Sequence, residues 1–489
     1  MENLIVDDVP VYRHFIGGEW VETESGKVIK VENPANEETI AYIQDGNEKD
    51  AIKALKAAKN AQNEWAKLPG VERGQILSRF ADLILKNKNK LANILVREQG
   101  KPLTTAIDEV MVSTDFIKYA SEFGRRIRGD IFPSDLIDEE VYIKREPYGV
   151  VVGITAWNFP LALACRKIGP ALITGNTIVI KPPSVTPLAT LELGYLAIEA
   201  GIPKGVLNIV TGGGGKVGRT LVEHPFTDLV TMTGSTKTGI QIYSAAADRL
   251  IPVRLELGGK APFIVLEDAD LDKAVDSAIF SRFYNCGQVC TCNERMYIHR
   301  KIYDEFMQKF LNKVKALKVG DPFEPDTDVG PKVSREEVEK LERMVERAAE
   351  SGAKVLIGGG KPEGKLFVKG FWYLPTVLEV EDNKLEIMQK EIFGPVVPVM
   401  QIKSAEQAVE LANDSNYGLS AFVFSNNLKT VMNVVNSLDF GEVYVNRQMG
   451  ELRQGFHNGF KLSGIGGEDG IYGLENYLRK KTVYLNFSD

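Results

Sequence analysis

The stretch that begins at Gly149 constrains this chain most. Four short β-branched runs recur there: GVVVGIT (149–155), TIVIK (177–181), VLNIVT (206–211) and DLVTMT (228–233). Helix-like segments lie between them, among them LALACRKIGPALITG and LATLELGYLAIEAG. Continuous apolar strands alternating with helices need cover on both faces, so this pattern predicts a parallel sheet flanked by helices. A second block of the same kind follows Gly259, with APFIVL (261–266), a helix predicted from Arg335 to Ser351 and a strand EVYVN (442–446). That helix opens on Ser334 with Glu337 at the spacing of a capping box, and Val338, Leu341, Val345 and Ala348 give it one apolar stripe. Helical spacing also marks Asp50–Trp65. The chain ends in the β-rich KKTVYLNF, a strand that needs a partner, for which pairing between subunits is one source.

A length of 489 residues allows roughly three domains at about 150 residues each. A net charge of −7 argues against nucleic acid or an anionic membrane as the main partner, since both call for basic patches. No apolar run approaches the roughly 20 residues of a membrane span. The start, MENLIVDDVP, lacks the basic residues and apolar run of a signal peptide, so a cytoplasmic location is expected. Cys165, Cys286, Cys290 and Cys292 are too few, and three of them too close together, for a disulfide scaffold.

Several segments carry possible chemistry. GGGGKVG follows a strand run and contains G-x-G-x-x-G at Gly213, Gly215 and Gly218, a backbone that can approach a pyrophosphate. Four successive glycines also suit a plain flexible turn, and the acidic residue beyond, Asp228, lies before a strand, not at the end of one. TMTGSTKTG offers a second strand-then-helix junction at Gly234 and Ser235. NCGQVCTCNER has no fourth cysteine and no nearby histidine, so no metal site is expected. It reads either as small buried residues or as one activated thiolate, Cys290, at a Gly-rich helix start whose N–H groups lower the thiol pKa. Glu256, before a Gly-Gly turn, is either a solvated surface carboxylate or a base facing a cleft. Asn158, after a strand, is either a turn residue or an oxyanion donor.

In order along the chain, WNFP, GNTIVIKP, MTGST, LELGGK, GQVC, EIFGPV and SGIGGEDG-x-YGL resemble the signature of the aldehyde dehydrogenase superfamily, from about Phe15 to Leu485. The resemblance implies an α/β fold of three parts. A cofactor domain spans 1–127 and 149–258, a catalytic domain 259–469, and a β-arm for oligomerisation 128–148 with 470–489. It implies that Cys290 attacks an aldehyde, that Glu256 activates the water that hydrolyses the thioester, and that Asn158 stabilises the oxyanion. Lys167 and Glu468 match secondary proton-relay positions, whereas Cys286 and Cys292 fall where the family tolerates other residues. NAD or NADP is the implied cofactor, with contacts at Ile154, Thr155, Trp157, Lys181, Ser184, Gly214, Gly218, Ser235, Leu257, Glu391 and Phe393. NADP is expected to be preferred, because NAD-restricted members often carry Glu at the position of Ser184. The stretch NRQMGELRQGFHNG is most similar to the lactaldehyde and glycolaldehyde (and glyceraldehyde) dehydrogenase branch. It places Arg166, Glu451 and His457 at the aldehyde tunnel, so a small 2-hydroxylated aldehyde is the expected substrate. A homodimer or homotetramer is the expected assembly. The alternatives are a coenzyme A-acylating enzyme, a broad-specificity or semialdehyde dehydrogenase, and a non-enzymatic binder that retains the fold. The presence of Glu256 argues for hydrolysis.

Overall fold

The β-branched runs do become neighbouring strands. The computed structural model describes residues 4–6 and 9–488. Val150–Ile154, Thr177–Lys181, Leu207–Ile209, Leu229–Thr233 and Val253–Glu256 lie parallel in one 8-stranded sheet. Val150–Ile154 and Thr177–Lys181 pair in register over their whole length, and almost every residue of both is buried, as a doubly covered sheet requires. The strand order reverses beside Val150–Ile154, which has Thr177–Lys181 on one side and Leu229–Thr233 on the other. In open α/β sheets such a switch opens a crevice at the carboxyl ends of the strands.

Two antiparallel additions close this sheet from opposite ends of the chain. His14–Ile16 and Glu19–Val21 extend one edge. Gly464–Ile465 covers the other by pairing with Leu255 and Glu256, although the sequence places it in the second block. The second block forms a 7-stranded sheet, parallel except for Lys354–Ile357. Its central strands, Ala261–Val265 and Asn293–His299, are fully buried. The helix predicted from Arg335 to Ser351 spans Arg335–Glu350; Ser334 caps it by accepting from the Glu337 N–H, while the Glu337 carboxylate turns to Lys332. Leu341, Met344, Val345 and Ala348 form its buried stripe, and Val338 is only partly buried.

A third sheet stands apart from both: Asp130–Pro133, Glu139–Pro147 and Leu478–Asn486, all antiparallel. The C-terminal strand therefore finds one partner within its own chain, along nine residue pairs. Gly470–Glu475, expected in the arm, is instead a helix that packs on Pro160–Ile173. Among the described residues no helix is long and apolar enough to cross a membrane.

Candidate active site

A cavity of about 380 Å³ opens between the two large sheets. The first sheet contributes the segments that leave its carboxyl ends: Trp157–Phe159 after Val150–Ile154, Gly234–Ser235 after Leu229–Thr233, and Glu256–Gly258. The second sheet contributes the approach to a strand, because Cys290 lies in the turn just before Asn293–His299. The expectation of a helix start at Cys290 is thus incorrect. Asn285, Cys286 and Gly287 take successive left-handed conformations (φ 51°, 57° and 69°), which turn the chain from a helix into a strand. A Cβ on Gly287 would come within 2.3 Å of the Gly394 carbonyl, so the turn needs glycine. Without a helix N-terminus, the expected lowering of the thiol pKa by helix N–H groups is absent as well. The enclosed surroundings push the Cys290 thiol above its ordinary value, and the neighbouring His457 ring pulls against that shift. Cys290 nonetheless differs from the other three cysteines, which are buried, in being partly exposed.

Asn158 shares the cavity wall with Cys290. Its side-chain N–H₂ donates to the Gln288 carbonyl (3.0 Å), which leaves a second N–H available. Its backbone carbonyl accepts from the Lys101 ammonium (2.8 Å) and the Asn285 amide (3.2 Å). Lys101 is also paired with Glu109, whose carboxylate accepts the N–H groups of Leu161 (2.9 Å) and Ala162 (3.2 Å) at the start of Pro160–Ile173. That helix has no N-cap side chain of its own, so Glu109 serves as one from a distance. The sequence reading missed this pair. The available signal was a glutamate on the otherwise buried face of Leu103–Ser121, beside Ala106, Val110 and Ser113.

Glu256 is 3% exposed, and neither carboxylate oxygen has a hydrogen-bond partner. Burial pushes its pKa up to about 8, His457 opposes the rise and Glu468 adds to it. His457 lies between two carboxylates, with Nδ1 3.1 Å from Glu442 and Nε2 3.4 Å from Glu256. Burial favours a neutral ring, but Glu442 and Glu256 outweigh it and hold the His457 pKa well above normal. Lys167 and Glu468 pair with each other, and Lys167 also donates to Thr233 (2.8 Å) and Thr231 (3.2 Å). Of the three residues expected at the tunnel, Arg166 and Glu451 line the cavity. His457 is buried behind its wall, against Glu256 and Glu442. Arg166 is braced by Asp469 (Nε, 3.0 Å) and Glu468 (3.3 Å), and Glu451 accepts from the Thr291 hydroxyl (3.1 Å). Glu442, Glu451 and His457 also bring potential metal-ligand atoms within 4.8 Å of one another, but contacts with Tyr444, Thr291 and each other already engage them.

The expected cofactor residues fall into two groups. Trp157, Ser235, Leu257, Glu391 and Phe393 line the cavity. Glu391 accepts from the Gly259 N–H (2.9 Å), and a Cβ on Gly258 would meet its carboxylate at 2.6 Å. Burial pushes Glu391 up to about 7. Phe393 is left-handed (φ 55°) and meets Trp157 edge-on, with ring centres 5.3 Å apart. Glu294 holds that segment by accepting from the N–H groups of Ile392 (2.7 Å) and Phe393 (3.0 Å). Against the cost of burial, the Lys260 ammonium and Arg282 guanidinium hold Glu294 at about 2. The sequence reading gave these three residues no role. The second group, Ile154, Thr155, Lys181, Ser184, Gly214 and Gly218, lies outside the cavity wall, around the carboxyl ends of Val150–Ile154 and Thr177–Lys181. Its features fit a dinucleotide. The Thr155 hydroxyl is buried without a partner, Gly213–Gly215 face open space, and the Lys181 side chain reaches toward Gly218. Burial lowers Lys181 to about 8, with no carboxylate paired to it among the described residues. Ser235 caps Thr236–Ala247, whose N-terminus faces the cavity side of the sheet.

A dinucleotide groove that runs into a cavity holding a reachable thiol and a proton-holding carboxyl describes an NAD(P)-dependent oxidoreductase. Residues 20–483 match the aldehyde dehydrogenase family, and the chain belongs to that family. It is 52% identical to the 3,6-anhydro-α-L-galactose dehydrogenase of Vibrio sp. (strain EJY3), covering 97% of this chain and 99% of that one. It is 41% identical to the D-glyceraldehyde dehydrogenase (NADP⁺) of Picrophilus torridus, over 97% and 96% of the two chains. The solved lactaldehyde dehydrogenase of Escherichia coli superposes with a TM-score of 0.96 at 42% identity, over 98% of this chain and 100% of the other. The protein is an NAD(P)-dependent aldehyde dehydrogenase, and the expected fold is borne out.

Proposed function

We propose that this enzyme oxidises a small aldehyde with a hydroxyl on the neighbouring carbon, such as lactaldehyde, glycolaldehyde or glyceraldehyde, and that it prefers NADP. The observation that carries the substrate reading is the pair of charged groups, Arg166 and Glu451, on a cavity wall that also holds Cys290 and apolar side chains such as Val112, Phe116 and Phe280, with Asp108, Lys340 and Arg453 among its other charged groups. A site built to pair a hydroxyl rejects the analogue without one, because its own polar groups are left unpaired. Arg166 donates, Glu451 accepts, and the His457 ring stands just behind, beside the reacting centre. Relatives named for glyceraldehyde, lactaldehyde and an anhydro sugar support the same class, since each of these aldehydes carries a hydroxyl next to the carbonyl.

In this reading Cys290 Sγ attacks the carbonyl carbon, and the free N–H of Asn158 and the Cys290 backbone N–H receive the oxyanion. The nicotinamide, when bound, supplies the hydride acceptor. Glu256 then takes a proton from the water that hydrolyses the thioester, and Lys167 with Glu468 passes that proton on. When the cofactor is bound, Glu391 would hold the nicotinamide ribose and Phe393 the ring. Lys181 and Ser184 would hold the adenosine end, with Ser235, Gly214 and Gly218 at the pyrophosphate. Ile154, Thr155, Trp157 and Leu257 complete the cofactor contacts. A neutral Ser184 beside a buried, unpaired Lys181 supports a 2′-phosphate, which a carboxylate at the same place would repel. We place the enzyme in the cytoplasm, as a homodimer or homotetramer, with a cofactor domain over 1–127 and 149–258, a catalytic domain from 259, and an arm of 128–148 with Leu478–Asn486, while Gly464–Ile465 and Gly470–Glu475 pack on the cofactor domain.

The test is a panel of lactaldehyde, glyceraldehyde, a 3,6-anhydro sugar aldehyde, propanal and hexanal, each with NAD and NADP, for the native enzyme and His457→Ala. Hydroxyaldehydes should give the higher kcat/KM, and His457→Ala should lose most on them. Equal or better efficiency on hexanal defeats the substrate reading, and a tenfold or greater preference for NAD defeats the cofactor reading.

A further inference from the structure

We infer that the buried pair Lys101–Glu109 positions Asn158: it fixes the backbone that carries the oxyanion donor and ties that backbone to the turn before Cys290. The inference rests on the reading of Asn158 as a donor to the oxyanion formed when Cys290 attacks an aldehyde. Its starting point is how little holds the Asn158 amide itself. Among the described residues Oδ1 is buried without a partner, and Nδ2 makes one hydrogen bond, to the Gln288 carbonyl (3.0 Å). One bond leaves a side chain free to swing about it. The place of the remaining N–H is therefore set by the backbone beneath it, a loop between the strand Val150–Ile154 and the helix Pro160–Ile173.

Lys101 and Glu109 grip that loop. Lys101 lies between the helices Lys88–Gln99 and Leu103–Ser121, and Glu109 lies on the second of them. Both side chains are fully buried and paired with each other. An ammonium has three N–H bonds to place. Lys101 directs its donors to the Glu109 carboxylate and to the Asn158 carbonyl (2.8 Å), and its nitrogen stands 3.8 Å from the centre of the Phe159 ring. Glu109 in turn accepts from the N–H groups of Leu161 (2.9 Å) and Ala162 (3.2 Å). A single ion pair thus engages residues 158, 159, 161 and 162. The Asn158 carbonyl takes a second donor, the Asn285 amide (3.2 Å), from the turn before Cys290. That amide also lies 3.4 Å from the Gln288 carbonyl, the same oxygen that receives the Asn158 side chain. The oxyanion donor and the nucleophile turn therefore meet at one polar node, and Lys101 is its anchor.

A buried ion pair is a weak source of stability, because the loss of water offsets the attraction. What it supplies here is definition. A hydrogen bond from a charged donor is shorter and stronger than one from a neutral donor. Oxyanion donors need that definition, since they act only when preset where charge develops in the transition state. A misplacement of about 1 Å can cost about 10²-fold in rate. Lys101 does not line the cavity, so it reaches the reaction only through the groups it holds. Glu109 does reach the cavity wall, but both of its oxygens are engaged, one by Lys101 and the other by Leu161 and Ala162. The pair is thus a positioning unit that takes no proton and touches no reacting atom.

The test is a double-mutant cycle on the full-length enzyme, read as the first-turnover rate of NADPH formation from saturating glyceraldehyde by stopped flow. Asn158→Ala should slow that rate by about 10²–10³-fold. Lys101→Met should slow it by about 10–10²-fold. In Asn158→Ala enzyme, adding Lys101→Met should change the rate by less than about twofold, because the donor that Lys101 places is already gone. Alkylation of Cys290 by iodoacetamide forms no oxyanion, so Lys101→Met should leave its rate at the native value. Lys101→Met alone strands Glu109 as a buried charge, which can cost the protein its fold. The cycle is therefore repeated with Lys101→Met and Glu109→Gln together, a neutral pair that keeps an acceptor for Leu161 and Ala162. Equal losses from Lys101→Met with and without the Asn158 amide overturn the positioning role, as does an unslowed first turnover. A fall in alkylation that matches the fall in turnover also overturns it, since the effect then lies on the thiol or the fold. If Asn158→Ala keeps its first-turnover rate, the oxyanion reading fails and the positioning role with it.

Discussion

Serine in place of Cys290 puts an alcohol where the reaction needs a thiolate, and an alkoxide is far less accessible near neutral pH. Cys290→Ser should therefore abolish NAD(P)H production at 340 nm, while Cys286→Ser and Cys292→Ser keep most of it. Cys286 and Cys292 are buried, with burial raising their thiols to about 11 and about 12. Comparable rates in all four proteins would sink the assignment. Glu256→Gln should still give a burst of one NAD(P)H per site, then turn over about 10²–10⁴-fold more slowly, as loss of a general base predicts. Because burial lifts the Glu256 pKa to about 8, native steady-state turnover should rise with pH through that value. The sign for stability is the reverse. A carboxyl whose folded pKa is raised stabilises the fold fully below its unfolded pKa, and that contribution is lost as pH rises through about 8. Glu256→Gln should thus melt higher than native enzyme at pH 9 and gain least under acid conditions; the opposite order would show that Glu256 is not buried as a neutral acid. At this scale the family resemblance, rather than spacing alone, made Cys290, Glu256, Asn158, Arg166 and Glu451 legible, and each lines the cavity. Lys101, Glu109 and Glu294 were not legible, because they act through backbone groups of segments distant in sequence, and no local pattern records a partner that far away.

Among the elements, the strands of the first sheet were the most legible, because a strand buried on both faces must be apolar throughout. Boundaries shifted by a residue or two, as with VLNIVT, of which only Leu207–Ile209 is strand. The turn before Cys290 was misread because glycine and glutamine suit a helix entry as well as a reversal; what decides between them is the strand that follows, paired on both sides by Ala261–Val265 and Val396–Ile402. The loop after Thr177–Lys181 carries its own prediction. Ser184 lies beside Gly212, its hydroxyl 3.5 Å from that carbonyl, at the edge of the glycine-rich turn. Ser184→Glu should raise KM for NADP by tenfold or more and leave KM for NAD within a few-fold, because a carboxylate there repels only the cofactor that carries a 2′-phosphate. Equal changes for the two cofactors would place the adenosine end elsewhere.

For the molecule as a whole, the three-stranded arm carries the test of the proposed oligomer. It exposes Ile131, Phe132, Leu136, Ile137, Tyr484, Leu485 and Phe487, several of them by more than half, and among the described residues one edge of Leu478–Asn486 pairs with no strand. Contiguous apolar surface beside a free strand edge marks an association site. Ile131→Asp combined with Phe132→Asp should reduce the mass measured by light scattering toward that of a single chain or a smaller oligomer, and an unchanged mass would move the interface elsewhere. The Gly464–Ile465 strand has a different consequence, one of timing. Synthesis runs from the N-terminus, and domains fold as their residues emerge. The cofactor groove, the glycine-rich turn and Cys290 are all made before the stretch that seals the edge of Val253–Glu256 and delivers His457 and Glu468. A half-made chain can therefore shape the nucleotide groove while its thiol still lacks the groups packed behind it, and the reaction centre is complete only once the stretch through Glu468 has been made.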